Sequence, residues 1–542
     1  MIRKEEFLWK HRNFFCIIKM VIILKVITKR DIGKLIKDND MVAISGSGGS
    51  GSCEDILMGI RESFLLNGHP RNIGVTCGIS PGNLTRDLVG MNILAEPGLV
   101  GKAICAHLGM GKVFGEAVGN NQFPAFAVPL GVINHLYRAI GGQEIGVFTH
   151  IGLNTFADPR YNGCRANDLA SSLDDIVKLV HIDNKEILFY KSFPINVAVI
   201  KGTYADQDGN ISLEEEAVIG EQYNMAIAAH NSGGIVIAQV KEIKPKGSLK
   251  ARNVLVHSSL VDYVLVAQPD KSLKEYNMPE YRPEVTGDKK IKIEIPSRGL
   301  DARKVCARRA FLEIKKGDVI NLGVGMPDGV ANVAYEENCL DDIYLSVEVG
   351  PTGGMPIGGI AFGGAINPDS VISTASQFDA YNGGSLDMAI LGIAQVDKKG
   401  NVNVSKFGSR VTGPGGFINI TQPTKKIIFM GTFMADGLEE EIKNGNLHIV
   451  KEGTTSKFVE KVEQVTFSTK EARKHNQDIW YVTERAVFKL VDEGIMLVEI
   501  AEGIDLENDV LAKMSFKPLI SKDLKIMDPR IFKEEKMATN RH

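Results

Sequence analysis

Short apolar runs rich in β-branched residues recur along the chain, and most of them end in glycine. Residues 41–51 read MVAISGSGGSG and residues 319–329 read VINLGVGMPDG. Each follows a short polar stretch, IKDND at 36–40 and IKKGD at 314–318. The pattern predicts a helix end, a tight turn, a buried strand, and then a glycine loop that opens a helix. Residues 72–77, 235–240, 261–267, 343–347 and 426–433 read as further buried strands, separated by helical stretches. Such alternation predicts an α/β fold with largely parallel sheets. Ligands bind such sheets at the carboxyl ends of the strands, where these glycine loops fall.

A second pair of segments is also alike. Residues 197–212 (VAVIKGTYADQDGNIS) and 388–405 (MAILGIAQVDKKGNVNVS) each predict an apolar strand, a hairpin turn and a second short strand. The first pair is offset by 278 residues and the second by 191, so the N-terminal half holds about 87 more residues between the landmarks. Self-similarity on this scale predicts a duplicated domain, not a solenoid. Residues 271–299 are charged, contain Pro279, Pro283 and Pro296, and lack apolar periodicity. They read as a linker between an N-terminal domain at 20–270 and a C-terminal domain at 300–542. Residues 1–19 read as an N-terminal extension, with Met20 as the expected start. The apolar run there is interrupted by Lys19 and Lys25, which speaks against a membrane span.

Composition narrows the function. The chain has 542 residues, 44% hydrophobic and 24% charged, with a net charge of −3, which is ordinary globular material without a broad basic face for nucleic acid. The seven cysteines are irregularly spaced without a C-x-x-C pair, and the histidines contain no H-x-x-x-H. A disulfide framework and a metal site are therefore not expected, and a reducing compartment is. The 56 glycines are bunched, which marks places where backbone turns sharply or approaches something closely.

Four glycine clusters carry candidate chemistry. Residues 46–51 match G-x-G-x-x-G, but the next strand ends in Thr76-Cys77-Gly78, with no carboxylate to hold a ribose. A phosphate or pantetheine contact, or a packing turn, fits better than a dinucleotide. Residues 78–82 match G-x-S-x-G, yet Pro81 has no N–H to donate where a nucleophile elbow needs one. Residues 343–364 read IYLSVEVGPTGGMPIGGIAFGG. Here Glu348 closes a buried strand among glycines and apolar residues, where desolvation raises the carboxyl pKa and sharpens it as a nucleophile. Residues 405–422 contain Gly413-Pro414-Gly415-Gly416, a run that can present successive N–H groups to an oxyanion. Pro414 donates nothing, so Gly415 and Gly416 are the candidate donors.

Together these segments resemble the family I CoA-transferases, and more closely the single-chain acetate or propionate CoA-transferases (acyl-CoA:acetate/3-ketoacid CoA-transferases). The resemblance runs from about residue 20 to 530, with signposts at 46–51, 131–138 (GVINHLYR), 152–160 (GLNTFADPR), 206–210, 348–364, 407–422 and 520–532 (ISKDLKIMDPRIF). It implies two similar open α/β domains with mostly parallel sheets, facing each other across a cleft for CoA and the acyl group. It implies Glu348 as the covalent nucleophile, Gly413, Gly415 and Gly416 at the CoA and oxyanion site, and Gly323 and Gly325 against CoA. Leu130, Gly131 and Val349 fall at the acyl pocket. The resemblance further implies acyl-CoA and short-chain carboxylic acids as substrates, CoA as both substrate and covalent intermediate, and no permanently bound cofactor, metal, nucleic acid or membrane. A cytoplasmic homo-oligomer is expected. The family has Ser or Asn where Val349 stands, commonly cysteine at Pro414, and glutamine at Leu130. These departures imply a more apolar pocket and an altered acid preference. They also keep two other readings open, an acyl-CoA hydrolase on the same fold and a degenerate acyl-CoA-binding protein.

Overall fold

The structure, a computed structural model, describes residues 24–268, 281–295 and 298–539. The expected extension at 1–19 and the 271–280 stretch of the expected linker lie outside the described residues. Two sheets organise the chain. The first has eight strands: β1 (Lys25–Ile27), β2 (Met41–Ile44), β3 (Ile73–Ile79), β4 (Val100–His107), β5 (Ala125–Ala127), β6 (Val197–Lys201), β7 (Ile235–Val240) and β8 (Tyr263–Val266). Their order is β1-β8-β7-β6-β2-β3-β4-β5, and every neighbouring pair is parallel. Strands β2, β3 and β6 are buried along their whole length, as a sheet covered on both faces requires.

The second sheet carries β9 (Val319–Leu322), β10 (Tyr344–Ser346), β11 (Met388–Gly392), β12 (Lys426–Met430), β13 (Asp478–Val482), β14 (Ala486–Val491), β15 (Gly494–Ile500) and β16 (Leu519–Ile526). The run β10-β9-β11-β12-β13 is parallel. Beyond it β13, β14 and β15 form an antiparallel meander. That edge departs from the parallel expectation because its connections are only two or three residues long, and a crossover to a parallel neighbour needs a dozen or more. Residues of the second sheet alternate between two cores. Ala389, Leu391, Ile427 and Phe429 face the core shared with the first sheet, whereas Met388, Ile390, Ile428 and Met430 face a separate core.

The internal duplication is visible bond by bond. In the first half Asp40 Oδ2 accepts from Lys37 N, and in the second Asp318 Oδ2 accepts from Lys315 N, both at 2.8 Å. The hairpin turns match as well. Asp206 Oδ1 accepts from Asp208 N and Asn210 N, and Asp397 Oδ1 accepts from Lys399 N and Asn401 N. Each asparagine then donates its side-chain amide to the other oxygen of its aspartate.

Two helices form much of the seam between the halves. Helix α3 (Leu130–Gly141) of the first half lies against α7 (Thr374–Asn382) of the second; α1 is Glu54–Asn67, α2 Lys112–Gly119, α4 Gln222–Asn231, α5 Ala302–Phe311, α6 Gly329–Glu336 and α8 Phe417–Thr421. His135 and Arg138 of α3 both reach Asp379 of α7, at 2.8 and 2.9 Å. Gly131 allows the closest approach. A Cβ there would sit 2.4 Å from Asn419 Nδ2 and 2.8 Å from Phe378 Cγ.

Candidate active site

Strands β9 and β10 end side by side, and their loops build the site. After Ser346 the chain turns back sharply. Val347 N donates to Pro351 O and Gly350 N to Val347 O, so Glu348 and Val349 occupy the tip. Gly350 is required there, with φ of +133° and room for a Cβ only 2.1 Å from Ile372 O. A buried polar cluster supports the turn from below. Tyr381 hydroxyl and Gln377 Nε2 meet Ser346 Oγ at 2.7 and 2.9 Å, and Asn321 Nδ2 donates to Ser346 O at 3.0 Å. None of Asn321, Gln377 and Tyr381 carries a sequence signal. Ser346 is the last residue of β10, and Glu348 lies beyond the strand in the turn.

Glu348 is buried, and burial pushes its pKa up to about 7, with the Gly416 backbone N–H as the opposing influence. Gly416 is pressed against it, since a Cβ on Gly416 would lie 1.8 Å from Glu348 Oε2. The structure thus separates the two expected donors. The Gly416 N–H faces the carboxylate, whereas the Gly415 N–H donates to Ala106 O at 3.1 Å and is not directed at Glu348. Gly413 likewise donates to Ser405 O.

The donor loop belongs to the second half but is held by the first. Leu108 N donates to Thr412 O at 2.7 Å, and Leu130 N donates to Gly415 O at 2.9 Å. The His107 ring, whose pKa burial lowers to about 4, lies 3.8 Å from the position of a Gly415 Cβ. Local pattern did not reveal this clamp, because its members come from opposite halves of the chain.

The remaining expected residues divide between the cleft and the packing around it. Val349 is buried and lies beside Gly363. A Cβ on Gly363 would lie 3.3 Å from Val349, 3.8 Å from Val218 and 4.0 Å from Ser50. Ser50 of the 46–51 loop, read from sequence as a phosphate contact or a packing turn, and Val349 thus both border Gly363. Leu130 is buried at the start of α3. Gly131 is spent on the seam, donating its N–H to Asn419 Oδ1 at 3.0 Å. Gly323 and Gly325 lie in the loop after β9. Gly323 N donates to Ile390 O, and Gly325, at φ +100°, donates to Asp328 Oδ2 at 3.0 Å. Gly325 is exposed, so this loop forms an open rim beside the strand that leads into the Glu348 turn.

An all-parallel sheet thus faces a second, related sheet, with a desolvated carboxylate in the turn after a strand, close against a glycine backbone. The chain belongs to the CoA-transferase family. The family model for Coenzyme A transferase matches residues 27–267. A caffeate CoA-transferase of Acetobacterium woodii is 43% identical over 517 residues, covering 94% of this chain and 98% of that protein. The acetate CoA-transferase YdiF of Escherichia coli K12 is 40% identical over 519 residues, covering 95% and 96%. The crystal structure of the acyl-CoA transferase YdiF from E. coli O157:H7, a thioester complex with CoA, superposes with a TM-score of 0.89 at 37% identity, over 96% of this chain and 98% of that one. The protein is accordingly a CoA-transferring enzyme with an acyl-CoA substrate. Among the described residues no helix is long and apolar enough to cross a membrane.

Proposed function

We propose that this enzyme moves CoA from a short-chain acyl-CoA to a free carboxylic acid such as acetate, in ping-pong fashion, with Glu348 as the covalent nucleophile. The observation that carries this reading is the Glu348 carboxyl itself, buried at a strand-end turn with the Gly416 N–H on it.

The steps balance without an outside energy source. The Glu348 carboxylate attacks the thioester carbonyl, the C–S bond breaks, and an acyl-glutamyl anhydride and CoA thiolate result. The thiolate attacks the glutamyl carbonyl and expels the first acid as its carboxylate, leaving a glutamyl-CoA thioester. An incoming carboxylate attacks the same carbonyl and releases the thiolate, which then takes the new acyl group and frees Glu348. Each intermediate stays activated, whereas a serine ester would not. Two of these attacks place an oxyanion on the glutamyl carbonyl oxygen, the atom that Gly416 already faces in the resting carboxylate.

The apolar surroundings supplied by Leu130, Val349 and Val218 favour acids whose tails carry no second charge. The six described cysteines are free thiols, which suits a reducing cytoplasmic location. With acetyl-CoA as donor, exchange into a panel of acids is expected to depend on acid concentration and to favour small uncharged tails. Free CoA released at a rate that ignores the added acid would instead indicate a hydrolase.

A further inference from the structure

A second buried carboxyl stands in the first half of the chain, unused by the chemistry above. Glu221, just before α4, is 4% exposed. Burial raises its carboxyl pKa, with the Gly46 backbone N–H of the first glycine loop opposing the rise, while its Oε1 has no hydrogen-bond partner among the described residues. Buried polar atoms in folded proteins are almost always bonded, so an orphaned one calls for an occupant.

The position of this oxygen is telling. A Cβ on Gly78 would lie 2.9 Å from Leu130 Cδ1, 3.7 Å from Asn134 Nδ2 and 3.9 Å from Glu221 Oε1. These three side chains therefore converge on one bare stretch of backbone. Asn134 Oδ1 is likewise unpartnered among the described residues. Leu130 ties this point to the reacting centre, because its backbone N–H bonds Gly415 O, one residue from Gly416. From the other side, Thr374 N donates to Gly220 O, and Thr374 Oγ1 donates to Val349 O, next to Glu348. Glu221 also lines a cavity of about 570 Å³ that opens at the seam between Tyr137, Tyr223 and Ser373.

We propose that Glu221 is an acid-recognition residue, whose Oε1 holds a carboxyl oxygen of the carboxylic acid entering the cleft past Leu130. The inference rests on the CoA-transferase reading and adds to it the group that receives the second substrate. A carboxylate entering a buried apolar site loses its hydration and needs a donor there. Leu130 offers only methyl groups. Burial pushes the Glu221 pKa up to about 8, so near neutrality it carries a proton and donates an O–H to the incoming carboxylate. The titratable groups facing it are Cys77 on β3 and Tyr137 on α3, both uncharged at neutral pH; Tyr223 of α4 lines the same cavity, and Arg138 on its wall is paired with Asp379. As pH rises through about 8 the proton leaves, and the ionised carboxyl repels the acid.

The test measures KM for acetate and for acetyl-CoA separately in wild type, Glu221→Leu and Glu221→Gln, from pH 6.5 to 9. The leucine variant is expected to raise the acetate KM at least about tenfold, with a far smaller shift for acetyl-CoA. In wild type the acetate KM should climb above pH 8, and in the glutamine variant, which has no proton to lose, that climb should vanish. An unchanged acetate KM in the leucine variant, or the same alkaline climb in the glutamine variant, overturns the proposal. If the leucine variant does not fold, the glutamine pH profile decides alone. Failure of Glu348 to take up CoA in wild type would sink the transferase reading, whereas CoA uptake with an indifferent Glu221 sinks only this proposal.

Discussion

Glu348→Gln is expected to lower kcat by at least about four orders of magnitude while leaving the fold in place. Glutamine has nearly the same shape and keeps a carbonyl oxygen toward the Gly416 N–H, but it cannot form an anhydride. A second readout separates lost chemistry from lost structure. The folded pKa of Glu348 is about 7 against an ordinary 4.5, so the protonated form is the one the fold favours. That contribution is fully present below about pH 4.5 and is lost as pH rises to about 7. The glutamine variant lacks this loss, so its Tm should exceed that of wild type at pH 8 by more than at pH 5. The ionised nucleophile also gives the wild type a first half-reaction that accelerates as pH climbs through about 7.

The second large effect belongs to Gly416→Ala. Gly416 has φ of −81°, a conformation any residue adopts, so alanine brings no backbone strain. What it brings is a methyl group 1.8 Å from Glu348 Oε2, 2.9 Å from Cδ and 3.1 Å from Phe378 Cζ. Glu348 must swing away, and the N–H loses the oxygen it stabilises. A loss of about 10²- to 10³-fold in kcat is expected, the usual cost of removing one oxyanion donor. Gly415→Ala is the contrasting variant. Its φ is +50°, and the nearest atom to its Cβ is His107 Cδ2 at 3.8 Å. It should cost about 1–2 kcal/mol of stability through backbone strain and affect turnover much less. Equal catalytic losses in the two variants would contradict the assignment of the donor to Gly416.

Much of this site is legible in the sequence because its parts are local. The strand that ends in glycine, the polar turn that precedes it and the D-x-x-G-N hairpin are each written within about fifteen residues, and each recurs in both halves. Glu348 stands out for the same reason, as a carboxylate closing an apolar run before a cluster of glycines. The parts that stay hidden depend on partners distant in sequence. Gly415 and Gly416 are adjacent and chemically identical, yet one N–H goes to Ala106 of the other half and only the other reaches Glu348. The Ser346–Tyr381–Gln377–Asn321 cluster beneath the Glu348 turn joins two strands and a helix with no shared motif. The largely parallel pairing is legible, but the antiparallel edge at β13–β15 is not, because apolar alternation states that strands exist and the lengths of their connections state how they pair. Glu221 lacks any sequence mark, since a glutamate before a helix is ordinarily solvated and only the fold shows this one buried.

The most direct test of the account is the mass of the enzyme after incubation with acetyl-CoA in the absence of any acceptor acid. The prediction is a mass increase of one CoA less water, mapped by peptide analysis to the segment containing Glu348, lost on adding acetate, and absent from Glu348→Gln. An enzyme that turns over acetyl-CoA while Glu348 stays unmodified, or that carries CoA on another residue, would contradict it.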